Sequence, residues 1–263
     1  MADTKKYNQQ KVTTYCAGRH AISEVSVVLE KPLTLFLNQQ ELTTMICSPG
    51  AYEELCVGFL ISEGIVQERS DISSISCQEE EGLVWIVTSK PIPQVNNFLR
   101  RQLTSCCGKS RTGLYFINDS SQLEAVQSDT VFSAEQLLGF IRELENKSDT
   151  FQRTGGVHEA GLADHSGLLY MYEDIGRHNA VDKVFGKAFL EEINMTDKCL
   201  ILSGRIASEI LIKALRNKVS FILSRSAPTK LTIELAEEFN ITLVGFARGD
   251  RFNIYSHPER VMM

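Results

Sequence analysis

Leu168-Leu169-Tyr170-Met171-Tyr172-Glu173-Asp174-Ile175-Gly176-Arg177-His178-Asn179-Ala180-Val181-Asp182-Lys183 decides how the second half of the chain is read. Its first five residues are apolar or aromatic and suit a strand. A short polar turn containing Gly176 follows. From His178 to Leu190 the apolar positions Val184, Phe185, Ala188 and Phe189 keep helical spacing, which reads as a core-facing stripe. The same order recurs twice downstream. Cys199–Leu202 leads through Ser203-Gly204-Arg205 into a helix near Ile206–Asn217, and Phe221–Leu223 leads through Ser224-Arg225-Ser226-Ala227-Pro228-Thr229 into one near Lys230–Phe239. A last strand, Ile241–Phe246, ends in Ala247-Arg248-Gly249-Asp250-Arg251. Strands alternating with helices predict an α/β fold with a helix-covered, mainly parallel sheet.

Working outward, Ser133-Ala134-Glu135-Gln136 is an N-cap signal for a helix reaching about Asn146. The first half has a different rhythm. Strands are expected at Val25–Leu29, Leu33–Leu37 and Glu41–Cys47, then a helix over Glu53–Glu63 with Gly64 as its C′ residue. Further strands fit Ile72–Cys77 and Leu83–Thr88, a helix Val95–Leu103, and a strand Leu114–Ile117. The expected organisation is a tail over 1–20, a smaller α+β domain over 21–129 ending in a cysteine loop at 104–113, and an α/β domain over 130–263.

The chain has 263 residues, 43% of them hydrophobic and 23% charged, an ordinary globular composition. Its net charge of −6 argues against a nucleic-acid binder, so any anion site must be a local basic cluster. The first residues lack the apolar core of a signal peptide, and no apolar run approaches a membrane span. The seven cysteines are odd in number and mostly scattered, which points to reduced thiols in a cytoplasmic protein.

Two cysteines stand apart. Thr104-Ser105-Cys106-Cys107-Gly108-Lys109-Ser110-Arg111-Thr112-Gly113 has no apolar periodicity to bury and reads as an exposed loop. Lys109 and Arg111 would raise the thiolate fraction of either thiol. A disulfide between Cys106 and Cys107 is unfavourable, because adjacent Cα atoms lie about 3.8 Å apart, below the usual minimum near ~4.4 Å. A metal pair would show C-x-x-C spacing with a partner pair, which the chain lacks. His158-Glu159 does not complete a zinc-deaminase signature either, since its two residues are adjacent where the signature needs H-x-E, and the chain has no P-C-x-x-C. No metal site is expected.

The strand-end turns suggest a ligand. In open α/β sheets ligands bind beyond the carboxyl ends of the strands. Here those ends carry Gly176-Arg177, with His178 at the helix start, Ser203-Gly204-Arg205, Ser224-Arg225-Ser226 and Arg248-Gly249-Asp250-Arg251. Glycine admits close approach, serine and free helix N–H groups donate to an anion, and arginine binds phosphate bidentately. An anion bearing several phosphates is implied. The competing reading pairs these arginines with Glu173, Asp174, Glu209 and Asp250.

Glu173 to Lys183, Leu243-Val244-Gly245-Phe246-Ala247-Arg248-Gly249, Thr154-Gly155-Gly156-Val157-His158, Ser203-Gly204-Arg205, Ser224 to Thr229 and Glu54 to Gly64 together resemble the formate dehydrogenase accessory sulfurtransferases, the FdhD/NarQ family, over about Val25 to Val261. The resemblance implies a cytidine-deaminase-like C-terminal three-layer domain lacking the zinc site, and a homodimer. It implies a sulfurtransferase that takes sulfur from a cysteine desulfurase as a cysteine persulfide. The acceptor it implies is the molybdenum (or tungsten) bis-pyranopterin guanine dinucleotide cofactor, bound as a substrate and then used by formate dehydrogenase. GDP would mimic half of that cofactor. The family's cofactor-binding stretch falls on Phe246, Ala247, Arg248, Gly249, Asp250 and Arg251. Many members carry C-x-x-C in the loop where this chain has Cys106-Cys107. The first family cysteine aligns most simply with Cys106, because each follows a small polar residue, whereas an alignment gapped on the following Gly-Lys favours Cys107.

Overall fold

The computed structural model describes residues 5–89 and 123–263. The expected helix Val95–Leu103, the cysteine loop with Cys106 and Cys107, and the expected strand Leu114–Ile117 lie outside the described residues.

The N-terminal stretch is not a tail. Tyr7–Cys16 (β1) and Arg19–Val28 (β2) pair antiparallel with Cys16 opposite Arg19. The two intervening residues, Ala17 and Gly18, both take positive φ (47° and 83°), the backbone of a tight two-residue hairpin. Both faces are largely exposed, so the stretch carries no hydrophobic alternation by which to read it.

Lys31–Leu37 (β3), Gln40–Cys47 (β4), Ile72–Gln78 (β5) and Leu83–Thr88 (β6) form a sheet of order β4-β3-β6-β5, with only the β3–β6 pairing parallel. Leu33, Leu35, Leu37, Val84 and Ile86 bury one face against Leu55, Val57, Phe59 and Leu60 of α1, Tyr52–Ser62. Within the described residues, the strands and the helix expected in this half are present, with their ends shifted by a residue or two, except that the strand begun at Val25 starts at Arg19.

The C-terminal sheet has six strands: His158–Asp164 (β8), Gly167–Asp174 (β9), Cys199–Leu202 (β10), Phe221–Ser224 (β11), Thr242–Arg248 (β12) and Arg251–Ser256 (β13). Its order is β13-β12-β11-β10-β8-β9. A small pair, Phe132–Ser133 (β7) with Val261–Met262 (β14), lies beside it. The expectation of a mainly parallel sheet fails. Only β10–β11 and β11–β12 are parallel, whereas β8–β9, β8–β10 and β12–β13 are antiparallel. Two tight connections, 165–166 and 249–250, replace crossovers. Arg251–Ser256, whose exposed Arg251 and Asn253 alternate with half-buried Phe252 and Ile254, is a strand the sequence analysis does not expect.

Helices cover both faces. Ala134–Lys147 (α2) opens with a reciprocal cap: Ser133 Oγ accepts from the Gln136 N–H at 3.1 Å, and Gln136 Oε1 accepts from the Ser133 N–H at 3.0 Å. It packs Leu137, Ile141 and Leu144 against Ala163, Cys199, Ile201 and Leu223, followed by the short α3, Asp149–Thr154. On the opposite face, Arg177–Leu190 (α4), Ser208–Arg216 (α5) and Lys230–Glu238 (α6) cover Ala160, Leu162, Leu200, Ile222 and Leu243. The result is three layers, with each strand of β8 and β10–β12 presenting alternate side chains to the two cores.

The two halves meet at α1 and α4. A methyl added at Gly58 would collide with the Asp182 carbonyl, and one at Gly186 with that of Glu54. Glycine at both positions lets the helices cross backbone to backbone. Beside the crossing, buried Asp182 accepts from Ser62 Oγ at 2.6 Å and forms an ion pair with Lys213 of α5.

Candidate functional site

Because β8 is antiparallel to both β9 and β10, strand β9 runs in the same sense as β10, β11 and β12. The carboxyl ends of these four strands therefore share one edge of the sheet, although β9 reaches it by a hairpin. The amino ends of β8 and β13 arrive at the same edge. This brings together Gly176-Arg177-His178, Ser203-Gly204-Arg205, Ser224-Arg225-Ser226 and Arg248-Gly249-Asp250-Arg251, with His158 among them. His158 is the residue that reading strand ends alone overlooks, since it stands at a strand start. Its Nδ1 would lie 3.4 Å from a methyl placed on Gly204, and Arg177 Cβ 3.7 Å, so Gly204 leaves the room in which these turns touch.

The turns are tied to one another through the backbone. Ser224 Oγ donates to the Gly204 carbonyl at 2.7 Å and accepts from the Ser226 N–H at 3.0 Å. Ser226 Oγ donates to the Ser203 carbonyl at 2.9 Å, and Ser203 Oγ accepts from the Glu159 N–H at 2.9 Å. The three hydroxyls expected to serve an anion thus hold the scaffold. The Arg225 N–H donates to the Leu202 carbonyl and the Phe246 N–H to the Ser226 carbonyl. Phe246 has φ of 52° at a break in the β12–β13 register, a conformation unusual for a bulky residue. The bulge turns its ring outward, 41% exposed, with the Arg248 guanidinium 5.7 Å from the ring centroid. Ala247 is buried in the core and offers only backbone.

The competing pairing of the arginines is largely absent. Among the described residues Asp174 pairs with Lys183, Glu173 with Lys6, and Glu209 approaches His178. Arg225 Nε lies 2.7 Å from Glu145 Oε1, a partner on α2 that the sequence did not suggest. Arg248 Nε donates to the Arg225 carbonyl at 2.9 Å, leaving its terminal nitrogens at an exposed position. Arg205 and Arg251 are exposed, and no carboxylate pairs with Arg177, Arg205, Arg248 or Arg251 among the described residues. The first turns of α4 and α5 begin at Gly176 and Ala207, neither of which supplies a side-chain cap. Uncapped N–H groups beside cations suit an oxyanion.

Below the surface, Asp174 organises the α4 turn. Its Oδ1 accepts from the Gly176 N–H at 2.9 Å and Asn179 Nδ2 at 3.0 Å. Its Oδ2 accepts from the Ser48 N–H at 3.1 Å and faces Lys183 Nζ at 2.8 Å. Ser48 Oγ in turn accepts from the Ile175 N–H at 3.0 Å. The segment leaving β4 is thereby clamped to the turn that carries Arg177. Burial pushes the Glu159 carboxyl up, outweighing the pull of the Ser148 and Ser203 hydroxyls and of Arg225. Burial and Arg177 push His158 down. Among the described residues, no group of three His, Cys, Asp or Glu side chains could hold a metal ion, and no helix is long and apolar enough to cross a membrane.

A family model described as the FdhD/NarQ family matches residues 28–262. A protein of Listeria innocua named sulfur carrier protein FdhD is 45% identical over 257 residues, covering 97% of this chain and 98% of its own. One of the same name from Bacillus subtilis is 42% identical over 252 residues, covering 95% of each. The crystal structure of a formate dehydrogenase accessory protein from Desulfotalea psychrophila superposes with a TM-score of 0.82 at 26% identity, covering 98% of this chain and 100% of that one. With a family model spanning nearly its whole length and relatives at this level of identity, the chain belongs to the FdhD/NarQ family.

Proposed function

We propose that the protein carries sulfur for the maturation of formate dehydrogenase. In this reading Cys106 or Cys107 receives sulfur as a persulfide from a cysteine desulfurase. The sulfur passes to a molybdenum bis-pyranopterin guanine dinucleotide cofactor held as substrate at the six-stranded sheet's edge. The observation that carries the reading is the convergence of the Arg177, Arg205, Arg225 and Arg248–Arg251 turns over the uncapped starts of α4 and α5.

The cargo's pyrophosphates match such an edge, because guanidinium forks and free helix N–H groups both favour phosphate oxygens. Phe246, turned outward and flanked by Arg248, offers a flat face to a planar base. GDP is then the simplest probe. In the loading step, a loop thiolate attacks the outer sulfur of the desulfurase persulfide. A new S–S bond forms, the desulfurase thiol leaves, and no electrons are gained or lost overall. Lys109 and Arg111 favour the attacking thiolate and the persulfide anion that results. The same reading makes the C-terminal three-layer unit a cytidine-deaminase-like domain without zinc, and the protein a cytoplasmic homodimer with the smaller α+β domain at its N-terminus.

Incubation with a cysteine desulfurase and cysteine, followed by peptide mass spectrometry, should show a one-sulfur increment on the peptide bearing Cys106 and Cys107. Replacing both by Ala should abolish formate dehydrogenase activity in cells that depend on this protein. Full activity from the double variant would point instead to a chaperone that delivers the cofactor without sulfur chemistry.

A further inference from the structure

Arg177 opens α4, where the helix dipole disfavours a cation. Its Nε donates to Nε2 of His178 at 3.3 Å. Engaging Nε fixes the plane of the guanidinium and leaves its two terminal nitrogens as a parallel donor pair, the geometry that meets an oxyanion bidentately. His178 can accept only while Nε2 carries no proton. Its surroundings favour that state: burial first, then the cations Lys213 of α5 and Arg177, and His158 of β8, push the ring down to about 3. Lys213 is held there by its own buried pair with Asp182. The opposing acid is Glu209, whose Oε2 lies 3.4 Å from the same Nε2 and would draw that nitrogen from Arg177 whenever it bore a proton.

We infer that His178 is a positioning residue: with its proton on Nδ1, its Nε2 holds Arg177 so that the terminal guanidinium nitrogens are presented to a phosphate at the strand-end edge. This rests on the reading of that edge as a nucleotide site. The arrangement would explain why a histidine follows the arginine here. A neighbour without an acceptor would leave the guanidinium free to swing, and a cationic one would repel it.

The test uses the full chain, GDP as probe, and a double-mutant cycle by calorimetry. Arg177→Ala and His178→Phe should each weaken GDP binding by about tenfold, the size of one charge-assisted hydrogen bond. The double variant should lose no more than either alone, since the histidine acts through the arginine. His178→Gln should recover most of the affinity, because its amide oxygen accepts at a similar reach. Nitrogen-15 spectra of wild type should place the ring proton on Nδ1. Additive losses, a His178→Gln variant as weak as His178→Phe, or a proton on Nε2 would overturn the inference. Should His178→Phe not fold, His178→Gln and the ring spectrum decide. Unchanged GDP affinity in a folded His178→Phe sinks the inference alone, whereas a folded wild type that binds no GDP sinks the nucleotide reading with it.

Discussion

Asp182 and Lys183 are neighbours on α4, yet each completes a different buried ion pair. Asp182 meets Lys213 and Ser62, joining α4 to α5 and α1 beside the glycine crossing. Lys183 meets Asp174, which holds the turn carrying Gly176 and Arg177 and reaches Ser48 after β4. The chemistry is the same and the surroundings differ. The first pair sits among helix faces and bonds to none of the strand-end turns, its lysine acting on His178 only by its charge; the second sits directly under one turn and bonds to its backbone. A buried ion pair taken by itself is weak evidence of stabilisation. What distinguishes the two is what they hold: the Asp182 pair joins side chains of three helices and fixes how the halves of the molecule pack, and the Asp174 pair holds backbone N–H groups and fixes the geometry of one strand-end turn.

The largest effect should come from Asp182→Ala. It leaves Lys213 buried without its carboxylate, a change that costs about 3–5 kcal/mol. Chemical denaturation should show that loss, while GDP affinity of the remaining folded protein stays near wild type. Lost affinity with unchanged stability would erase the distinction between the pairs.

Asp174→Asn sharpens the contrast. The amide keeps the shape but places a donor against the Lys183 ammonium and the Ser48 N–H. We expect a smaller loss of stability, about 1.5–3 kcal/mol, together with about tenfold weaker GDP binding. A variant that loses stability alone would make Asp174 as purely structural as Asp182. Arg248→Ala isolates the surface side of the comparison. Its guanidinium is exposed and touches the Arg225 carbonyl and the Phe246 ring. Calorimetry should give a loss of about tenfold in GDP affinity, and thermal melting should show almost no change.

The smallest effect tests a buried carboxylate that has neither kind of partnership. Glu159 stands opposite Glu173 across β8 and β9, and burial raises its pKa in the folded state. Above its unfolded value the folded protein binds the extra proton, so the stability associated with it is present at acid pH and falls as pH rises through the folded value. Glu159→Gln should therefore melt slightly higher than wild type near neutral pH and the same at acid pH. A variant that melts lower near neutral pH would mean that the charged form is held by partners, as Asp182 and Asp174 are.

Much of this molecule could be read from local pattern. The core-facing stripe of α4, the Ser133–Gln136 cap and the strands of the first sheet all follow from interactions a few residues apart. The arginine-bearing turns were legible for the same reason: a Gly or Ser beside an Arg between a strand and a helix announces itself. Strand direction was not legible. A hairpin such as β8–β9 and a crossover such as β10–α5–β11 both begin with an apolar strand and a polar turn, and only long-range pairing separates them. Of the hairpin β1–β2 only the end of β2 from Val25 was legible; β1 and the start of β2 were missed because neither face is buried deeply enough to imprint a period.

Residue types and short spacings determined, by themselves, an α/β chain with basic strand-end turns; the loop expected around Cys106 and Cys107 lies outside the described residues. The tertiary structure alone decided that β9 turns back through a hairpin and so lines up with β10, β11 and β12, which is what gathers all four turns on one edge. It also decided that the serines hold the scaffold while Arg177, Arg205, Arg248 and Arg251 are left without carboxylate partners among the described residues. The physical reason is range. Propensity and capping act over one helical turn or one strand pair, whereas hydrogen bonds such as Ser48 to Asp174 join residues 126 apart, whose meeting no local pattern encodes.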